Sequence, residues 1–502
     1  MNHISKYLTD YFIAEHRITD ATEFSIEDVD ALSLFVPGRI DLVAKWLYVD
    51  FIEKGIDSDY ATKLYSEHIG AFSLGNYTEP GTPEKNSIEK YLKEFNDLIK
   101  SIKVNGFYNK RSLVPVGGDG IALDGSHRIA ICAYFNIPIK IVRFKNIYKN
   151  YDTSFFKKRG LDAKYLDHLV TQYCKLKKDT YAVCIWPQAY AADKSRKADM
   201  IIKKSGIKVV FKKSVTLNYL GIRNLLLQIY GHHEWTGDYR DKFKGTERKV
   251  NEVYSADSKT ILYILESDDS KLIDKIKIQI RDAYSLNNSS VHITDNQEET
   301  VQITNLLLND NSIHHLNSAE LSKYSDAHEL LDIFKKTVTE SSSPLDDYII
   351  ESGSVLSLYG IRKTTDFDYL TSIEDKPTFT TARIDNHNSE MKYHTKTKDD
   401  LIYNPENYFY FNDVKCLSIE NVLTSKKNRG EAKDKNDITL VGSYLNKNSG
   451  AKIQIRFIKI KISLYRNYML KRSYLSRRLR SAGLREPLIK VRNTFIDKYK
   501  KN

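Results

Sequence analysis

The sequence predicts a multidomain protein of mixed α+β and α/β character that ends in a basic tail. Three observations carry that expectation. A chain of 502 residues has room for about three domains at roughly 150 residues each. Strand-like and helix-like segments interleave along most of its length. From Ser443 to Asn502 there are 17 Lys and Arg but 2 Asp and Glu, a net of +15. With the whole chain at +12, residues 1–442 therefore carry −3, so any polyanionic partner is expected to meet the tail. The predicted units are 1–150, 151–340, 341–445 and the tail 446–502.

Composition narrows the class. Apolar residues at 41% and charged residues at 28% predict packed cores rather than disorder. Cys132, Cys174, Cys184 and Cys416 lack CxxC or CxxH spacing, which argues against a zinc site or a disulfide framework and suits a reducing compartment. No run of about 18 apolar residues offers a spanning helix. The N-terminal residues have neither an apolar h-region nor a small-residue cleavage site, so a cytoplasmic location is expected.

The first unit opens with helix-like segments at 40–54 and 60–69. SIEKYLKEFNDLIKSIKVNG then reads as an amphipathic helix stopped by Gly106. SLVPV and GIALD read as short strands joined by the turn GGDG, followed by the helix GSHRIAICAYFN and the strand IPIKIVRF. In LDGSHRIA the small residues Gly125 and Ser126 start a helix. Free amides there, with His127 and Arg128 beside them, form a potential phosphate cradle; a capped helix with a structural Arg ion pair is the other reading. This stretch resembles the ParB/sulfiredoxin-like superfamily, whose members carry a hairpin and then a "DG-x-HR" or "GERR" turn opening a helix. The resemblance covers about residues 100–145 and implies that Asp124, Gly125, Ser126, His127 and Arg128 contact nucleotide phosphates. Upstream, Arg39, Asp41 and Lys45 fall in one short segment. They read either as a substrate-side acid or base or as solvated charges on a partly buried helix. The helix-turn-helix domain of partition proteins is not apparent, so DNA segregation is not expected.

From Thr180 the pattern becomes strand, helix, strand, helix, strand, helix, which predicts an antiparallel sheet with helices on one face, a ferredoxin-like sandwich. IWPQAY (185–190), GIKVVFKKSVTLN (206–218) and VHITDNQEET (291–300) resemble a diverged nucleoside diphosphate kinase domain. His292 and Asp295 fall on the segment that holds the phosphorylated histidine. Trp186 stands where that family has Lys and Ile293 where it has Gly, so a scaffold or non-catalytic binding domain is the expected role. His232–His233 and His314–His315 read as surface or loop histidines.

The sharpest signal is YIIESGSVLSLYGIRKTTDFDYLTS (348–372). On a strand, positions i and i+2 share a face, so Asp366 and Asp368 present two carboxylates together. Paired carboxylates repel unless a cation sits between them, and magnesium prefers such hard oxygens together with phosphate. Gly353–Ser354 starts a short helix, and Arg362 adds a guanidinium fork suited to phosphate. The arrangement resembles the nucleotidyltransferase fold, a group that includes LicD-type phosphocholine and polyol-phosphate transferases acting on surface glycans. The resemblance implies that Gly353 and Ser354 hold a triphosphate and that Asp366 and Asp368 hold Mg²⁺; Asp385, ending the strand-like TFTTARI, is the candidate third carboxylate. Further on, Lys426, Arg429, Lys433, Asp434 and Asp437 lie at near-helical spacings. They read as a solvated charged helix or as a block in which Lys426 or Arg429 contacts phosphate.

The tail mixes Leu, Ile, Phe and Tyr with Arg and Lys, a composition suited to an anionic membrane surface. Phosphate contacts with nucleic acid and packing on the acidic body are the alternatives. No nucleic-acid recognition motif is present, so nucleic acid is not an expected partner. The leading expectation is a Mg²⁺-dependent nucleotidyl- or phosphoryl-transfer enzyme. It would use a nucleoside triphosphate and a sugar- or polyol-type acceptor in surface-polysaccharide synthesis. The alternatives are a ParB-like small-molecule kinase using the 124–128 turn with Asp41 or another upstream acid as base, which can coexist with the first activity in one bifunctional chain, and a nucleotide-binding sensor.

Overall fold

The structure, a computed structural model, describes residues 4–446 except 20, 80, 83, 108–111, 193–195, 239, 240, 242, 257, 258, 374–380 and 382, together with Lys471 and Leu475. The expectations for the basic tail, and for most of TFTTARI, lie outside the described residues. Helices and three small mixed or antiparallel sheets follow one another along the chain, which is the α+β and α/β character the sequence predicts.

The first sheet contains β1 (Phe24–Val29), β2 (Val114–Val116) and β3 (Ile139–Phe144) in the order β1-β3-β2, with β1 antiparallel and β2 parallel to β3. Strand β1 has no counterpart in the sequence reading. FSIEDV is short and polar, and it is held on β3 by cross-strand pairs, Glu27–Arg143 at 3.0 Å and Asp28–Lys140 at 2.7 Å. The expected second strand, GIALD, amounts to a single bridge between Val116 and Ala122. The intervening glycines turn too tightly for a hairpin to run on: a Cβ on Gly118 would sit 2.4 Å from the Lys145 carbonyl oxygen. Around this sheet lie the expected helices, Asp41–Lys54, Tyr60–Phe72, Ile88–Asn105 and Ser126–Tyr134. Ser87 caps the third by accepting from the Lys90 amide, and Gly106 ends it.

The second sheet holds β4 (Thr180–Ile185), β5 (Lys208–Thr216), β6 (Lys259–Glu266) and β7 (Val291–Ile293), all antiparallel, in the order β5-β6-β4-β7. Helices cover both of its faces, not one. Val183, Ile185, Tyr263 and Leu265 face the helices Lys197–Ser205 and Ser270–Tyr284. Ala182, Cys184, Leu262 and Ile264 face the opposite way into the main core. The physical reason is in the sequence: AVCI and ILYIL are continuous apolar runs, the mark of strands buried on both sides.

The third sheet contains β8 (Tyr348–Glu351), β9 (Phe367–Thr371), β10 (Ile384–Asn386), β11 (Tyr408–Phe411) and β12 (Val414–Leu417) in the order β10-β9-β8-β12-β11. β9 is antiparallel to β8 and parallel to β10. One apolar cluster runs through residues of all three sheets, including Ile139, Leu262 and Phe367. Phe334, on the helix Ser325–Glu340, packs against Tyr348 and Tyr369 of the third sheet. All four cysteines are buried and free. Among the described residues, no helix is long and apolar enough to cross a membrane.

Candidate active site

At one end of the third sheet, strand geometry gathers four carboxylates. Asp366 immediately precedes β9 and Asp368 lies on it, two positions on, so the two share a face. Asp385 on β10 pairs directly with Asp368 in a parallel register, which brings it to the same side. Glu351 ends β8 and pairs with Asp368 from the other side. Thr364 donates to Asp366 Oδ1 at 3.2 Å, and the Asp366 side is exposed while Asp368 and Glu351 are buried.

Two histidines tie the buried acids together. His387 Nδ1 lies 2.8 Å from Glu351 Oε1 and its Nε2 3.3 Å from Asp368 Oδ1; His394 Nε2 lies 3.0 Å from Glu351 Oε2. The electrostatics follow. Burial pushes the Asp368 carboxyl up to about 6 against the pull of His387, and Asp366, Glu351 and Asp385 push it further the same way. Burial opposes protonation of His387, but Glu351, Asp368 and Asp385 hold its pKa above the ordinary imidazole value. Glu351, despite burial, is held low, at about 2, by His387 and His394. The cluster is thus an excess of carboxylates partly answered by two imidazoles.

The Gly353–Ser354 turn lies alongside, in the helix Ser352–Leu358. Ser352 enters it with φ of +57°, a left-handed conformation that costs a non-glycine residue energy. Ser354 is buried and its hydroxyl is engaged: it accepts from the Asp368 amide at 2.9 Å and donates to the Asp366 carbonyl at 3.3 Å. It fixes the DxD strand against the turn. Arg362 lies over Gly353, where a Cβ would come within 2.7 Å of Nη2. Its fork is clamped by Asp437, with Nε and Nη2 donating at 2.7 and 3.0 Å.

The downstream charged block is not solvated. Lys426 is buried, 2.8 Å from Asp437 and 3.4 Å from Asp434. Arg429 donates to Asp434 at 2.9 and 2.7 Å. Of the five residues, Lys433 alone stays on the surface in a pair with Glu431 at 3.1 Å. The block forms a buried network between the helices Ile419–Arg429 and Ala432–Asn446 and positions Arg362.

The other sequence-derived candidates are engaged within the fold. Arg128 Nη1 donates to the Ser112 carbonyl at 2.6 Å and hydroxyl at 3.1 Å. His127 Nε2 lies 2.8 Å from the Tyr65 hydroxyl, and burial drives its pKa well down. Asp124 accepts from the Gly125 amide at 2.6 Å. Ser126 starts the helix that follows, with Gly125 in the left-handed region at φ +77°. Arg39, Asp41 and Lys45 are buried rather than solvated: Asp41 accepts from Arg39 at 2.9 Å twice and from Lys45 at 2.8 Å. In the middle unit Trp186 is fully buried, and His292 is bonded at 2.8 Å to the Tyr230 hydroxyl, with burial pushing its pKa down to about 4. Asp295 pairs with Lys277 at 3.0 Å. His315 is no surface residue; it is fully buried and stacks on Phe409 at 4.3 Å.

Sequence reasoning missed Glu351, His387 and His394. Glu351 stands two residues before Gly353 and His387 two after Asp385, but neither spacing is a motif; only the sheet register brings them together. As the side chains stand, no group of three or more His, Cys, Asp and Glu among the described residues is drawn closely enough to hold a metal ion. The donor chemistry nonetheless fits a hard divalent cation: carboxylate oxygens at one strand end, one of them with a pKa raised by burial and, secondarily, by its acidic neighbours. The chain matches no protein-family model, no curated protein and no solved structure.

Proposed function

We propose that the protein is a divalent-metal-dependent nucleotidyl- or phosphoryl-transfer enzyme whose centre is the carboxylate corner of the third sheet. The observation that carries this reading is the convergence of Asp366, Asp368 and Asp385 on one face, with Glu351 behind them. Like charges so gathered weaken the fold, and a site that keeps them has a use for a cation. Asp366, Asp368 and Asp385 would hold Mg²⁺, which supplies charge neutralisation for a transferring phosphoryl group. Arg362, held over Gly353 by Asp437, would orient phosphate oxygens as they approach. Ser354 holds the DxD strand rather than the nucleotide. His387 and Glu351 orient Asp368 from behind.

The acceptor class, a sugar or polyol, and the setting in surface-polysaccharide synthesis are carried over from the resemblance in the third unit. A ferredoxin-like reading of the middle unit is supported by its antiparallel strand order. The test is turnover of nucleoside triphosphates with Mg²⁺ and a panel of sugar and polyol phosphates, comparing the native chain with Asp366→Asn. Equal turnover in both removes the proposal. The basic tail would seat the enzyme on an anionic membrane face. Deletion from Gly450 is expected to abolish binding to anionic liposomes, and unchanged sedimentation with liposomes would remove that role.

A further inference from the structure

A cavity of about 230 Å³ opens where all three units meet. Its lining comes from the helix Tyr60–Phe72, the helix Ala163–Leu176, the end of the helix Gln297–Leu307 with the start of Asp310–Ser318, and β11. It is separate from the carboxylate corner: β11 and β9 are three strand spacings apart in the sheet, about 14 Å. The volume is several times the roughly 30 Å³ share of one water.

We propose that this junction cavity binds a small uncharged polyhydroxy molecule, a monosaccharide or polyol. The lining chemistry points that way. The floor is neutral and hydrogen-bonding. His168 is buried with both ring nitrogens engaged, Nδ1 at 2.8 Å from the Tyr60 hydroxyl and Nε2 at 2.9 Å from Gln172 Nε2. Burial, aided by Lys175, pushes its pKa down to about 3, so the ring carries no charge at neutral pH. Asn305 also lines the cavity, and its buried amide oxygen has no hydrogen-bond partner. A buried amide oxygen without a partner is rare in a folded protein and costly unless something supplies one. Tyr408 and Tyr410 form a wall of two rings 5.4 Å apart at 86°, a surface suited to the C–H face of a sugar.

Charge excludes the obvious competitors. One Lys faces three carboxylates in the lining, which disfavours phosphate esters. The carboxylates are in turn mostly matched: Glu406 pairs with Lys164 at the mouth, and Asp167 pairs with Lys213 at 2.6 Å. Asp310 stands exposed at the rim, so no buried unpaired charge calls for a cation. What remains is a set of hydroxyl and amide groups, backed by the His168 ring, which matches ligands whose every polar group both donates and accepts.

The test is calorimetric titration of the full-length protein, without nucleotide or metal, with neutral monosaccharides and three- to six-carbon polyols alongside their phosphate esters and amino derivatives. At least one neutral compound is expected to bind one-to-one, with its phosphate ester at least tenfold weaker. Asn305→Leu and Tyr60→Phe should each weaken that binding at least tenfold while Asn305→Leu leaves the melting temperature unchanged or higher. Asp368→Asn should bind as the native protein does, which separates failure here from failure of the transferase reading. Should either cavity variant fail to fold, hydrogen exchange of the native protein replaces it, with ligand-induced protection expected in 164–172 and 305–311. No binding by any neutral compound, tighter binding of the charged derivatives, or binding indifferent to both variants with no protection at those segments overturns the proposal.

Discussion

Two buried acids, Asp41 in the first unit and Asp368 in the third, sit in environments of opposite sign. Asp41 loses its hydration, but Arg39 and Lys45 outweigh that loss and hold its carboxyl far below the ordinary range. Asp368 loses its hydration too, and three further carboxylates face it with a single imidazole in answer. The first arrangement is closed: Arg39 and Lys45 share the one carboxylate, and Lys45 reaches on to His68 at 3.0 Å. The second is open, with negative charge in excess. A carboxylate held that low is a poor proton acceptor, so the kinase reading with Asp41 as base loses its best candidate. A carboxylate raised by burial and by acidic neighbours has an unmet demand for a cation. The difference teaches that satisfaction of charge, rather than the presence of a motif, separates scaffold from candidate chemistry.

The largest effect that sharpens this contrast is on stability. Lys426 belongs to a closed network like that of Asp41, and Lys426→Met takes from it the one buried cation that Asp434 and Asp437 share, leaving Arg429 alone on the first and Arg362 alone on the second. Removing one partner of a buried ion pair is expected to cost about 3–5 kcal/mol, read as a lower denaturant midpoint with an unchanged slope. A variant as stable as the native chain would mean that the network is not closed. Next is Asp368→Asn, expected to lower Mg²⁺-dependent turnover about 100-fold or more while leaving the fold intact. If turnover survives, the open cluster is not the reaction centre. Smaller again is Arg128→Ala, which strands the Ser112 groups at a cost of about 1–3 kcal/mol with turnover per folded molecule unchanged. Turnover lost in a folded Arg128→Ala protein would move the chemistry to the first unit.

Much of the fold was legible because it rests on local patterning. The helix after Ser87 follows from its cap, its periodicity and Gly106, β4 and β6 from apolar runs of strand length, and β9 from the alternation of acid and aromatic residues. What escaped depends on contacts remote in sequence. Strand β1 is defined by its ladder to β3, where Glu27 and Asp28 also meet Arg143 and Lys140 more than a hundred residues away. In the site, the Asp366–Asp368 pair was legible from the strand period alone. Glu351 and His387 were not, because β8 and β10 reach Asp368 from opposite sides and only the sheet order reveals it. The burial of Lys426 and of the Arg39–Asp41–Lys45 group was equally hidden, since charged residues at helical spacing read as a solvated face until the packing is known.

The finest test of the contrast is its pH dependence. In the folded protein Asp368 titrates near 6, against an ordinary value of 3.8. Between about pH 4 and pH 6 the folded state therefore holds the extra proton, and stability falls as pH rises through that window. Two units at 1.36 kcal/mol each bound the loss at about 3 kcal/mol. His387 acts in the same direction: its raised pKa contributes stability present below 6.5 and lost as pH rises through the folded value. Asp41, with its lowered pKa, acts in the reverse direction, contributing stability above about pH 4 that is lost in acid. Asp368→Asn removes the first of these contributions, lessens the second, because Asp368 helps to hold the His387 pKa up, and leaves that of Asp41 in place. The melting temperature of the variant should therefore match the native protein near pH 4.5 and exceed it by pH 7. Adding Mg²⁺ at pH 7 should raise the native value toward that of the variant and leave the variant unmoved, since a cation held at ten times its dissociation constant adds about 1.4 kcal/mol. A difference between the two proteins that stays flat from pH 4.5 to pH 7 would mean that the acids do not press on one another, and the open corner would then be no more reactive than the closed one.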